Sequence, residues 1–114
     1  MTTLKIFSGQ VNPTVGDISG NQSLILNTYN QGVEQSADLV FLPELSTCGY
    51  YPEDLLLRPS FIKAIMDSVE FMAKQTAEVA LAFGTPFFEN GNLYNSVVYA
   101  RHGEIQQVFH KREL

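Results

Sequence analysis

Apolar positions along this chain follow two rhythms. Between Asn21 and Gln35, Ile25, Tyr29 and Val33 recur every four residues. From Ser60 to about Thr76, Ile62, Ile65, Met66, Val69 and Met72 step by threes and fours. Both spacings draw a stripe along one side of a helix, so two helices are predicted, the second capped by Ser60. The other rhythm is the unbroken apolar run. "DLVFLP" (Asp38 to Pro43) and "VALAFG" (Val79 to Gly84) show no polar face. Such runs predict strands covered on both sides, as in a parallel sheet under helices. "LKIFSGQ" (Leu4 to Gln10), in an N-terminus that begins at Met1, suits a first strand, and Val11 to Asn21 is a loop punctuated by Pro13, Gly16 and Gly20. Asn90-Gly91 between apolar stretches predicts a hairpin, Arg101 to Glu104 a second turn, and Ile105 to Lys111 a last strand. The order is strand, helix, strand, helix, strand, then antiparallel strands: one α/β domain without repeats or linkers.

Composition narrows the partners. With 45% hydrophobic and 17% charged residues the chain is globular rather than disordered. A net charge of -5 argues against nucleic acid or an anionic membrane as partner. No apolar run approaches the roughly 20 residues of a membrane helix, and the N-terminus lacks the pattern of a signal peptide. The sole cysteine, Cys48, has no partner for an internal disulfide, which fits a reducing cytoplasm. The chain ends at "HKREL" as a strand leaves the sheet, so the expectation is the front piece of a longer protein with apolar surface exposed and prone to self-association.

The chemistry concentrates at two strand ends. In open α/β sheets ligands bind beyond the carboxyl ends of the strands. Glu44 follows one buried strand and Lys111 ends another. Glu44 has two readings. It caps a local turn, or it is a partly desolvated base whose pKa rises from about 4.3 toward working pH. A lysine nearby would oppose that rise and could stabilise an oxyanion. The pair alone lacks a nucleophile.

The stretch "FLPELSTCGYYPEDLLLRPSF" resembles the glutamate motif of the nitrilase, or carbon-nitrogen hydrolase, superfamily. More narrowly it is similar to the glutaminase domain of glutamine-dependent NAD synthetases, through Pro43, Glu44 and Leu45, then Gly49 and Tyr50, then Pro52 to Leu57. "GQVNPTVGDISGN" is similar to that family's start, "GTPFFENGNLYNSVVYARHGEI" to its middle hairpin, and "HKREL" to its lysine motif. The resemblance implies a four-layer α-β-β-α sandwich of which this chain is about the first half. It implies a Glu-Lys-Cys triad, with Glu44 as general base and Lys111 steadying the tetrahedral intermediate, and Tyr50 lining a glutamine pocket. Ammonia from glutamine would pass to an ATP-dependent domain that amidates deaminated NAD. ATP and Mg belong to that absent domain, and no cofactor is expected in this chain. Homo-oligomers are implied for the full-length protein.

The family's nucleophilic cysteine lies beyond the lysine motif, so this chain alone is expected to be inert. Cys48 reads as a small packed residue. Glu53 and Asp54, behind Pro52, favour a helix N-terminus. Asn95 is expected to hold backbone near the site. His102 is expected in a solvated turn, and His110 on the face opposite Lys111. Two separate histidines make no metal site. Phe87, Phe88 and Tyr94 read as core or interface, and the glycines lack phosphate-binding spacing. Two rival readings remain, a carbon-nitrogen hydrolase acting on another amide and a non-catalytic binding module on the same fold.

Overall fold

The computed structural model describes residues 3–114, so Met1 and Thr2, ahead of the predicted first strand, lie outside it. The elements are β1 (Ile6–Ser8), α1 (Ile18–Glu34), β2 (Leu39–Leu42), a 3₁₀ turn (Glu53–Leu57), α2 (Pro59–Lys74), β3 (Ala80–Glu89), β4 (Asn92–Arg101) and β5 (Glu104–Glu113). One mixed sheet holds the strands in the order β1-β2-β3-β4-β5. The first two pairings are parallel across helical crossovers, and the last two are antiparallel hairpins. This is the predicted order of elements.

Both helices pack on one face of the sheet. Ile25 and Tyr29 of α1, and Ile65, Val69 and Met72 of α2, close over Val40, Leu42, Leu81, Phe83 and Val98. Tyr29 also ties the layers together. Its hydroxyl donates to the Val79 carbonyl at 2.8 Å and accepts from the Ala77 N–H at 3.1 Å. The expectation that β2 is covered on both sides is corrected here. Phe41, on the face away from the helices, is 40% exposed, and Phe109 beyond Val97 on that face is 52% exposed. Ala80 and Ala82 on the same face are buried because they are small and lie between larger neighbours.

The local differences have physical causes. α1 starts at Ile18 rather than Asn21, because the Asp17 carboxylate accepts from the Gly20 N–H at 3.0 Å and caps the helix there. Asn21 is buried instead. It bonds Thr14 and the Thr47 carbonyl, joining the opening loop to the loop after β2. Val33 is 43% exposed, and Gly32 takes its place in the stripe. A Cβ at Gly32 would lie 2.2 Å from Val40 Cγ2, so the helix approaches the sheet only with glycine there. Ser60 is not the cap of α2. Arg58 occupies that position without a side-chain bond, and Pro59, with its fixed φ, starts the helix. Pro52 caps the 3₁₀ turn, with Glu53 and Asp54 in its first turn.

β3 runs on past Gly84 through Pro86 to Glu89, longer than predicted. β2 ends at Leu42, so beyond Phe83 one side of β3 meets no strand, and proline's missing N–H costs no ladder bond there. Asn90 and Gly91 both have positive φ, 52° and 81°, the turn that Asn-Gly favours.

Candidate active site

β2 ends at Leu42, and the chain from Pro43 to Ser46 stays beside β3. The Gly84 N–H donates to the Pro43 carbonyl at 3.1 Å, and the Ser46 N–H donates to the Gly84 carbonyl at 2.8 Å. Between these two bonds Glu44 bulges over Gly84, on the face that the helices leave open. Lys111 arrives from β5 at an irregularity. Asn95 pairs with Arg112 and Ser96 with His110, so Lys111 is the extra residue of a β-bulge.

These elements converge on one carboxylate. Glu44 Oε1 accepts from Lys111 Nζ at 3.2 Å and from the Asn95 side-chain amide, while Oε2 accepts from the Tyr50 hydroxyl. Glu44 is 27% exposed and Lys111 53%. Glu44 and Tyr50 line an open cleft of about 260 Å³ together with Val11, Asn12, Pro13 and Pro43. Glu44 and Lys111, each expected at a strand end, thus meet, and Tyr50 joins them on Glu44.

The electrostatics differ from expectation. The Glu44 pKa is lowered, not raised. The largest cause is the hydrogen bond from Asn95. Burial pushes the other way, and the Lys111 hydrogen bond and charge, with Arg112 behind it, lower it further. Partial desolvation was the argument for a rise, and the two donors Asn95 and Lys111, with the charges of Lys111 and Arg112, outweigh it. Glu44 therefore stands ionised, with Oε1 held by Asn95 and Lys111 and Oε2 by the Tyr50 hydroxyl.

Asn95 is the residue that sequence reasoning misplaced. It is fully buried, and it holds the Glu44 side chain rather than backbone. Its Oδ1 is buried without a partner among the described residues. The only signal would have been register, because Asn95 pairs with Pro86, two residues past the Gly84 crossing.

Cys48, four residues from Glu44, is fully buried in the core cluster, with its sulfur toward the Leu45 and Gly49 carbonyls. Burial pushes its thiol up to about 12. It is the packed residue expected. A thiol with that pKa holds less thiolate than a free one by a factor of roughly 10³. Native Cys48 should therefore react with a disulfide reagent at pH 8 at least about 10³-fold more slowly than an exposed cysteine, and at the ordinary rate once urea unfolds the protein. Rapid native labelling would contradict its assignment to the core.

His102 is exposed in its turn. His110 lies opposite Lys111, as alternation predicts, where it bonds Ser96 and Glu89. Phe88 is half exposed beside a separate apolar groove lined by Leu57, Ile62, Met66 and Leu93, away from the carboxylate. Among the described residues no three His, Cys, Asp or Glu are placed to hold a metal ion, and no helix is long and apolar enough to cross a membrane.

Comparison with known proteins bears on the same arrangement. The carbon-nitrogen hydrolase profile matches residues 5–114. The glutamine-dependent NAD(+) synthetase of Synechocystis sp. is 38% identical over 110 residues, which cover 90% of this chain and 20% of that protein. The solved glutamine-dependent NAD+ synthetase of Acinetobacter baumannii superposes with a TM-score of 0.88 at 34% identity, over 95% of this chain and 20% of that one. An amidase from Nesterenkonia sp. shares the fold, with a TM-score of 0.79 at 24% identity over 95% of this chain and 42% of that one. The chain spans one fifth of the length of the two synthetases. With the profile running through every element described above, this chain belongs to the carbon-nitrogen hydrolase family.

Proposed function

We propose that this chain is the N-terminal part of the glutaminase domain of a glutamine-dependent NAD synthetase. The observation that carries the reading is the contact between Lys111 Nζ and Glu44 Oε1, 67 residues apart in sequence and joined at the rim of a cleft. The names of the Synechocystis and Acinetobacter relatives supply the substrate.

The nucleophile is a cysteine from the sequence that follows Leu114. Its thiol gives its proton to Glu44 Oε2, which holds the Tyr50 hydroxyl alone, and its sulfur attacks the side-chain amide carbon of glutamine. Lys111 lies where negative charge develops on the amide oxygen. The C–N bond then breaks, the proton passes from Glu44 to the leaving nitrogen, and ammonia departs. Water, giving its proton to Glu44, cleaves the thioester to glutamate and restores the thiol. Tyr50, on the cleft wall, faces the glutamine. The rest of the domain covers the open face that carries Phe41 and Phe109 and completes the sandwich. ATP and Mg act in the synthetase part. The intact protein works in the cytoplasm and forms homo-oligomers.

The test uses the intact natural protein, weighed by mass spectrometry and supplied with deaminated NAD, ATP and Mg. NAD formation from either glutamine or ammonia, with glutamate released one for one in the first case, is expected. Hydrolysis of simple aliphatic amides without glutamine turnover would establish another amidase instead. A natural product of only 114 residues without hydrolase activity would leave a binding module.

A further inference from the structure

A second polar cluster lies behind the candidate site, on the face of the sheet that the helices cover. His110 Nδ1 is 2.7 Å from Ser96 Oγ, and His110 Nε2 is 2.8 Å from Glu89 Oε1. The ring stacks on Tyr94 with centroids 4.1 Å apart and an interplanar angle of 18°, and Phe87 closes it at 6.2 Å. The tautomer with Nε2–H donating to the carboxylate and Nδ1 accepting from the Ser96 hydroxyl gives both ring nitrogens a partner. The contacts join β3, β4 and β5, and Ser96 and His110 pair at one level.

That level is the bulge. Asn95 and Ser96 are neighbours on β4, and His110 and Lys111 are neighbours on β5. One member of each pair, Asn95 and Lys111, reaches Glu44 on the cleft side. The other members, Ser96 and His110, bond each other on the covered side. A bulge leaves its extra residue without ladder bonds, and its side chain points wherever the local backbone turns it. At Lys111 the backbone is fixed one residue earlier, by the imidazole. We propose that the Ser96–His110–Glu89 chain is a positioning device, which holds the β4–β5 bulge so that Asn95 and Lys111 close on Glu44. The geometric claim stands on the contacts alone. Its consequence for turnover rests on the catalytic reading of Lys111 given above.

The experiment is a crystal structure and steady-state glutamine hydrolysis of the intact protein carrying His110→Phe, which keeps the ring packing and removes both hydrogen bonds. Ser96→Ala, a smaller change, serves where His110→Phe does not fold. Lys111 Nζ is expected to leave the 3.2 Å contact with Glu44. Displacement of about 1 Å costs on the order of 100-fold when the displaced group acts in the transition state, so kcat should fall by about 10–100-fold, with KM changed far less. Ammonia-driven synthesis should be retained. His110→Gln, which can still donate to Glu89, should recover part of the loss. An unmoved lysine overturns the proposal, and so does a fall in glutamine- and ammonia-driven rates together. A displaced lysine with undiminished hydrolysis overturns the catalytic reading of Lys111 and leaves the positioning claim standing.

Discussion

In the intact protein Glu44→Gln is expected to lower glutamine-driven NAD formation by about 10²–10⁴-fold, the usual contribution of a positioned base, while ammonia-driven formation stays near its original rate. The substitution is nearly isosteric. Its remaining carbonyl oxygen can still accept from Asn95 and Lys111, the two donors on Oε1. Only the oxygen toward Tyr50 becomes an amide that cannot take a proton. A large loss would therefore report proton transfer rather than collapse of the site, and equal glutamine-driven rates in both proteins would sink the base role. The acid limb of the unsubstituted enzyme follows from the lowered Glu44 pKa. The active form is the ionised one. Donation from Asn95 and Lys111 depresses the folded-state value, so activity persists below the ordinary glutamate range of about 4.3 and is lost only as pH falls through the folded value. The stability that ionised Glu44 contributes has the same sign. It is complete above the unfolded value and is lost on acidification through the folded one. An acid limb well above the ordinary glutamate range would contradict this arrangement.

What the sequence made legible was whatever depends on neighbours a few residues apart. The stripe of Ile65, Val69 and Met72, the Asn90-Gly91 turn and the order of elements are all local signals, and all appear in the fold. The misread points depend on contacts between distant segments. Gly32 replaces Val33 in the buried stripe because Val40 presses against α1. β3 continues through Pro86 to Glu89, beyond the predicted end at Gly84, because β2 stops first and leaves that side of β3 without a strand. The site divides in the same way. Glu44, Lys111 and Tyr50 were legible from strand-end position and family resemblance. The Asn95 contact was not, because it exists only in one cross-strand register. Nor was the bulge, since "FHKRE" alternates as any strand would. The direction of the Glu44 pKa shift was misread for the same reason, since its largest cause is Asn95.

Gly84→Ala is expected to disable the site from beneath. Strands lie about 4.8 Å apart, so a residue over β2 would stand roughly 14 Å from β5, too far for Glu44 and Lys111 to meet. The loop solves this by bulging across β3, which brings Glu44 about one strand nearer. Gly84 is where it crosses. A Cβ there would lie 2.5 Å from Glu44 Cα, 2.6 Å from the Pro43 carbonyl oxygen and 2.9 Å from the Leu45 nitrogen. All three are backbone atoms, so no side-chain rotation relieves the contact, and the loop must lift by about 1 Å to reach ordinary separations. That lift stretches the two bonds between Gly84 and the Pro43–Ser46 segment and draws Glu44 away from Asn95 and Lys111. Overpacking of this kind costs about 1–3 kcal/mol, measurable as a lower urea midpoint. A shift of 1 Å in a catalytic group costs on the order of 100-fold in rate. Glutamine-driven turnover should therefore fall by roughly that factor while ammonia-driven turnover survives, because the clash is confined to the loop beneath Glu44. Full glutamine-driven activity in Gly84→Ala would mean that Glu44 tolerates a different height above the sheet, and that its grip by Asn95 and Lys111 is not what the chemistry requires.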